Sequence, residues 1–269
     1  MKQRILTGAV ALPLLVLFLL YSGPWLFLGV MTVVQLVAQF EYQRMAQSNR
    51  DRVVDLTAVG LGTGCLILVG LGYGAPAWTF LALGLLLLFT LCLFRCDDLT
   101  RAAADCGLAL TGVLYLSVPL AMLVLLFASP GGRLWVFFVL LTVMMTDTFA
   151  LFVGRQLGRR PLYTRVSPNK SVEGALGGLA GGAAGGLVAA ITFFPLPVWF
   201  VLPVALVLSA VGQVGDLFES MLKRSFGVKD SGTIIPGHGG LLDRLDSLLF
   251  AFPVAYGLYL FARLLEVGP

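Results

Sequence analysis

Residues 76–94, PAWTFLALGLLLLFTLCLF, hold no charged side chain and show no two-residue alternation of polar with apolar positions. A run of this kind crosses a bilayer as an α-helix. About 17–25 apolar residues span the hydrocarbon, and a helix satisfies every peptide group inside its own segment. Comparable runs recur in both directions along the chain. They place nine spans, near residues 5–22, 25–41, 53–72, 76–94, 106–128, 134–154, 174–194, 198–217 and 245–265. Gly23-Pro24, Gly74-Pro76, Pro130-Gly132 and Pro195-Pro197 punctuate the hairpins between them. The chain is 58% hydrophobic and only 12% charged, whereas a soluble domain carries about twice that share of charge. The predicted class is an all-α polytopic membrane protein of about nine transmembrane helices, and the missing two-residue period excludes an outer-membrane barrel. No small-residue cleavage site follows the basic, apolar start MKQRILTGAVALPLLVLFLL, so it reads as an uncleaved first helix.

Cationic residues set the orientation, because loops rich in Lys and Arg stay in the cytoplasm. With the N-terminus inside, only Arg133 and Arg263 of the 18 Lys and Arg residues fall on the external side. The expected topology is therefore N-terminus cytoplasmic and C-terminus external. Residues 1–130 read as a scaffold of about five spans. Residues 131–269 read as about four spans that carry cytoplasmic loops at 155–173 and 218–246.

Two features other than the spans stand out. From Gly174 to Gly186, GALGGLAGGAAGG sets Gly174, Gly178, Gly182 and Gly186 on one helical ridge and Gly177, Gly181 and Gly185 on another. Such ridges let a second backbone approach closely, within one subunit or between the copies of a homodimer, or they leave room beside a bulky substrate. Cys65, Cys92, Cys96 and Cys106 lie in or beside spans with no histidine near, and read as packing or interfacial thiols.

Chemistry gathers at Ser220 to Asp246, SMLKRSFGVKDSGTIIPGHGGLLDRLD, where charges of both signs and a histidine interleave with glycines. Charges beside membrane spans are costly to desolvate and mark function by default. Asp216 and Glu219 close the eighth helix at a spacing of one turn, and Asp243 and Asp246 open the ninth in the same way. Brought together, these carboxylates form a hard-oxygen site suited to Mg²⁺; the alternative for Asp243 and Asp246 is helix capping. Lys223, Arg224, Lys229 and Arg244 supply the opposite sign. Gly232, Gly237, Gly239 and Gly240 free the backbone to wrap an anion. His238, the single histidine, either bonds a phosphate or a nucleobase or fixes the loop. Asp147, within the sixth span, either pairs with Arg155 and the hydroxyls of Thr146 and Thr148 or borders a headgroup pocket.

This segment resembles the signature of the bacterial phosphatidate cytidylyltransferases (CDP-diglyceride synthases). The matching residues are Ser220, Lys223-Arg224, Lys229-Asp230, and His238-Gly239-Gly240 followed by Asp243-Arg244 and Asp246. Weaker similarities extend to Arg4, Thr7, Pro13, Glu41, Asp147, Gly154 and Arg155. The block SPNKSVEG at 167–174 is similar to a family segment that reads Ser-Pro-Lys-Lys-Thr-x-Glu-Gly, with Asn169 and Ser171 as departures. Leu151 stands where the family often has an aromatic residue.

The resemblance implies transfer of a cytidylyl group from CTP to phosphatidic acid, giving CDP-diacylglycerol and pyrophosphate. It implies Mg²⁺ held by Asp216, Asp243 and Asp246, and leaves a second cation open. Lys223, Arg224 and Lys229 would contact the triphosphate or the lipid phosphate. Ser167, Lys170, Glu173, Asp147, His238, Gly239, Gly240 and Arg244 would contact substrate. Membrane lipids are expected partners and nucleic acid is not. A CDP-alcohol phosphotransferase would need an Asp-Gly pair, an Ala-Arg step and further spaced aspartates, a pattern absent here. A transporter would favour an internal repeat, and the charged loop has no counterpart in residues 1–130. Reporter fusions after Ser48, Ala103, Leu162 and Gly232 should all report cytoplasm; a periplasmic signal at Gly232 removes the charged loop from any nucleotide.

Overall fold

Apolar runs without water to bond their peptides form helices, and among its described residues the computed structural model of the protein has nine. It describes residues 2–46, 51–95, 98–234 and 239–267, with side chains described from Leu12 onward. The helices are α1 (Lys2–Tyr21), α2 (Pro24–Met45), α3 (Arg52–Gly70), α4 (Gly74–Phe94), α5 (Leu99–Ala128), α6 (Gly132–Leu157), α7 (Val172–Thr192), α8 (Val198–Ser225) and α9 (Leu242–Leu264). Among the described residues, α2 to α9 are each long and apolar enough to cross a membrane, and α1 contributes the apolar stretch Leu12–Tyr21. The polytopic all-α class expected from hydropathy holds.

Helix ends follow local chemistry. Pro24 opens α2 behind Gly23, Gly131 precedes α6 with a positive φ of 69°, and Pro197 precedes α8. Several helices outrun the apolar stretches from which they were expected. The N-terminus of α5 reaches back to Leu99, where the Asp98 carboxylate accepts the Thr100 amide at 2.9 Å and its hydroxyl at 2.7 Å. Such a cap supplies an acceptor for an amide that the helix itself leaves orphaned. At the other end of a long helix, α8 continues to Ser225 and stops at Gly227, whose φ of 72° a side chain rarely adopts. There the Val228 amide returns to the Lys223 carbonyl at 2.9 Å, the six-to-one closure of a glycine-terminated helix.

Between α6 and α7 the chain forms a small antiparallel hairpin, β1 (Pro161–Tyr163) and β2 (Ser167–Ser171), which the span analysis did not anticipate. Ser171 ends β2 and caps α7, its hydroxyl accepting the Gly174 amide at 3.1 Å. Turn and cap signals within eleven residues are weak against the hydropathy of the flanking spans, so the loop gave no strand signal.

The chain divides into two compact units. One comprises residues 1–125 together with 230–243, and the other residues 126–229 together with 244–269. In the first, Val54, Ala58, Leu61, Cys65, Leu81, Leu88, Ala109 and Val113 form a buried cluster from α3, α4 and α5. Asp51 caps α3 through the Val53 amide at 2.7 Å and pairs with Arg95 at 2.7 Å, tying the start of α3 to the end of α4. The Val53 amide and then the Arg95 guanidinium hold this exposed carboxyl below its usual range. Cys65 is a buried free thiol and Cys106 is another; Cys96 lies outside the described residues.

In the second unit the glycine ridges of α7 are filled from within the chain. A Cβ on Gly177 would stand 2.5 Å from Val153 Cβ, and one on Gly181 would stand 2.5 Å from Phe149 Cβ, both on α6. The other ridge meets α8: a Cβ on Gly182 would stand 2.6 Å from Ser209 Cβ, and one on Gly186 would stand 2.5 Å from Ala205 Cβ. Removing the α7 side chains also brings polar groups together, so that Thr146 donates to Ser209 Oγ at 2.8 Å and Ser209 to the Gly178 carbonyl at 3.2 Å. Packing within the chain is therefore what the ridges serve. Trp135, Phe138, Phe194 and Tyr259 close the far end of this unit with edge-on and stacked rings.

These contacts set a pair of expectations. Gly182→Ala forces a methyl into the α7–α8 contact and should destabilise by about 1–3 kcal/mol. Gly60→Ala, at a helical position with nothing within 4 Å, should be neutral or stabilising by about 1 kcal/mol through helix propensity. Thermal unfolding of both variants in detergent checks the ordering.

Candidate active site

Three elements of the second unit converge where α7 begins. The last turns of α6, the hairpin strand β2 and the C-terminal half of α8 surround a cavity of about 750 Å³. That volume lies within the range of about 300–1,000 Å³ typical of small-molecule sites. Asp147, Gly154 and Arg155 come from α6, Ser167, Asn169, Lys170 and Ser171 from β2, and Gln213 and Asp216 from α8. Ala150, Leu151, Leu162 and Ala175 supply apolar wall. Gly174, the first glycine of the ridge, lines the cavity as well, and a Cβ there would stand 3.0 Å from the Ala150 carbonyl oxygen and 3.1 Å from Gly154 Cα, so this end of α7 is also packed against α6.

Inside this cavity the ammonium of Lys170 lies 2.7 Å from Asp216 Oδ1, with both side chains about one-third exposed (27% and 33%). The carboxylates of Asp147, Asp216 and Asp246 stand close enough to act on one another electrostatically, and Lys170 and Arg244 act on Asp147 with the opposite sign. Thr148 donates its hydroxyl to the Met144 carbonyl at 2.7 Å, and Thr146 Oγ1 lies 2.8 Å from the Thr142 carbonyl oxygen as well as from Ser209 Oγ. Asp147 lines the cavity.

Other sequence-predicted residues have protein partners. Glu219 is fully buried and pairs with Lys223 one turn later on α8, whose side chain is 12% exposed. Lys223 also acts on Asp246. Arg224 is exposed and donates to the Val228 carbonyl at 3.3 Å, closing the end of α8. Lys229 and Asp230 are exposed on the segment that follows. Glu173 accepts the amides of Arg159 and Arg160 at 3.0 and 3.1 Å and pairs with the Arg160 guanidinium at 3.0 Å, so it binds the hairpin to the first turn of α7.

Asp243 belongs to the first unit with the strap at residues 230–243. Its Oδ2 accepts the Ser231 amide at 2.9 Å, the Ser231 hydroxyl at 2.9 Å and the Gly240 amide at 2.8 Å. Gly239 has φ 80°, and a Cβ there would stand 2.6 Å from that same oxygen. The described strap glycines thus close on the protein's own carboxylate groups. Gly237 and His238 lie outside the described residues. Among the described residues no three Asp, Glu, His or Cys side chains converge as a metal-holding group. The acidic pair Asp216 and Asp246 nonetheless fits Mg²⁺, which takes hard oxygen donors, commonly one or two carboxylates completed by substrate phosphates.

Two polar residues escaped sequence reading. Gln213 lies one turn before Asp216 on α8 and lines the cavity; a lone amide on the turn of an acid in an apolar helix was the available signal. Glu41 was noted only as a similarity, although an acid near the end of α2 is itself anomalous.

Fold and site together define an integral-membrane protein with charged side chains arrayed in a cavity at the ends of its helices. The chain belongs to the cytidylyltransferase family, whose pattern it matches over residues 2–262. It is similar to the phosphatidate cytidylyltransferase of Bacillus subtilis, with 36% identity over 269 residues covering 95% of this chain and 96% of the relative. Similarity to the phosphatidate cytidylyltransferase of Staphylococcus saprophyticus is 34% over 259 residues, covering 94% and 97%. The enzyme of the same name in Staphylococcus aureus is 32% identical over the same length.

The buried pair on α8 yields a stability test. Glu219→Ala breaks the largely buried ion pair with Lys223 and should cost about 3–5 kcal/mol. Arg224→Ala removes an exposed contact and should change thermal unfolding in detergent far less.

Proposed function

We propose that this chain transfers the cytidylyl group of CTP to phosphatidate, giving CDP-diacylglycerol and pyrophosphate in phospholipid biosynthesis. The observation that carries the reading is the mixed lining of the cavity. Leu151, Leu162, Ala150 and Ala175 suit acyl or glycerol surface, and Lys170, Arg155, Asn169 and Ser167 suit phosphate oxygens. A lipid phosphate needs both chemistries in one place.

A phosphate oxygen of phosphatidate attacks the α-phosphorus of CTP, the bond from that phosphorus to the bridging oxygen breaks, and pyrophosphate leaves. The nucleophile is ionised at neutral pH, since the second pKa of a phosphomonoester is about 6. No strong base is required. What remains is alignment of two anions and neutralisation of their charge. Lys170 and Arg155 are the cations of the cavity wall, Arg244 acts on Asp147 and Lys223 on Asp246, and Arg224 and Lys229 follow at the end of α8 and just beyond it. Asp216 and Asp246 would hold Mg²⁺. When bound, the ion neutralises phosphate oxygens and offsets charge developing on the departing pyrophosphate. Asp147 orders the inner wall beside Leu151, which leaves more room than an aromatic residue there.

The positive-inside distribution supports a cytoplasmic opening of this site and a multi-pass location in the bacterial inner membrane, where CTP is available. Purified protein given labelled CTP and phosphatidate should form a liponucleotide that requires Mg²⁺. Asp246→Asn should lower turnover by about 100-fold or more with membrane insertion unchanged. Lys170→Gln should lower kcat/KM for one or both substrates. Full activity of Asp246→Asn at limiting Mg²⁺ overturns the assignment of that residue.

A further inference from the structure

Glu41 lies outside the signature segment, yet its carboxylate is the point on which the described parts of the strap, residues 230–234 and 239–243, close. The residue is 4% exposed. Its Oε1 accepts the Leu241 amide at 3.0 Å, and its Oε2 accepts the Leu242 amide at 2.9 Å and faces Ser231 Oγ at 3.5 Å. These amides begin α9, where a helix has no internal acceptors to offer and where negative charge is favoured by the aligned peptide dipoles. The following amide, of Asp243, is taken by Ser231 Oγ at 3.3 Å. The first turn of α9 is therefore satisfied by side chains far away in sequence.

The strap's composition fits around the same carboxylate. A Cβ on Gly232 would stand 2.6 Å from Glu41 Oε1, and one on Gly240 would stand 2.6 Å from Oε2. Ser231 links the two acids, since its hydroxyl also bonds Asp243 Oδ2 at 2.9 Å. Two glycines, a serine and two carboxylates thus form one clamp.

We propose that Glu41 is a positioning residue for cytidylyl transfer, one that never touches substrate. Its carboxylate fixes the first turn of α9, the turn that carries Asp243 to Asp246, and holds the strap closed on the end of α2. This rests on the functional reading above. Glutamine has the same size but one acceptor oxygen instead of two, and its amide would aim an N–H at an N–H. One of the Leu241 and Leu242 amides then loses its acceptor, and the strap loosens.

The test uses full-length protein in membranes and in detergent. Glu41→Gln should keep its folded yield and unfolding temperature near wild type, while kcat per folded molecule falls by about 100-fold, the scale of a small misplacement at a reacting centre. The KM for CTP should change little. Trypsin cleavage after Lys229 and Arg244, the basic residues that flank the strap, should accelerate by about tenfold through easier local opening. Cleavage after Arg95 should keep its wild-type rate. Ser231→Ala leaves Glu41 intact and should shift both readouts in the same direction by less. Added to Glu41→Gln it should contribute little more, as expected of partners in one network.

Wild-type kcat per folded molecule in Glu41→Gln overturns the proposal, as does an activity loss that tracks the folded fraction with strap cleavage unchanged. Should Glu41→Gln fail to fold, unchanged kcat and strap cleavage in Ser231→Ala overturn it. If wild-type protein forms no liponucleotide, the functional reading fails, and the clamp stands or falls on the cleavage rates alone.

Discussion

A charge placed among apolar helices must be neutralised where it stands, because a bilayer offers it neither water nor counterions. The architecture of this protein is organised by the different ways its acids meet that constraint. Glu219 is neutralised within its own helix by Lys223. Asp216 is met across the cavity by Lys170 from the hairpin. Glu41 and Asp243 take backbone and hydroxyl hydrogens instead of cations. An acid held by a cation can exchange that cation for another, whereas an acid saturated by amides is committed to structure. This difference separates Asp216, suited to metal and phosphate chemistry, from Glu41, suited to holding a fold.

Small residues solve the complementary problem of space. The two glycine ridges of α7 let side chains of α6 and α8 pack directly on its backbone along most of the helix. Where α7 begins, Gly174 lies against Ala150 and Gly154 of α6 at the edge of the cavity. Tight packing over most of the helix keeps the cavity walls rigid, and a site that must align two anions needs rigid walls. The hairpin at residues 161–171 completes the enclosure, with Glu173 and Ser171 anchoring it to α7 through backbone amides. Lys170 reaches Asp216 from a strand so secured.

The glycines of the strap have a different role from the one their abundance suggests. A loop rich in glycine next to lysine and arginine invites comparison with anion-binding turns. Here Gly232 and Gly240 are small because Glu41 lies against them, and Gly239 turns with a positive φ beside Asp243. The anions around which this backbone closes belong to the protein itself.

Hydropathy by itself determined the helical class, the spans and the hairpin punctuation, because transfer to hydrocarbon is a local property that sums along a segment. The ordered charges of Ser220 to Asp246 likewise marked the family; Asp147 and Asp216 were legible as site candidates from their charge in apolar helices, and Ser167 and Lys170 through the resemblance of the 167–174 block. Only the tertiary structure decided which charge answers which. Lys170 pairs with Asp216, Lys223 with Glu219, and Glu173 with the backbone before the hairpin, pairings that the order of residues did not show. Glu41 and Gln213 became visible only when residues distant in the chain met. Pairing of charges depends on distance and direction in space, falling off as the inverse of separation, and a one-dimensional pattern records composition at each position without recording what lies opposite.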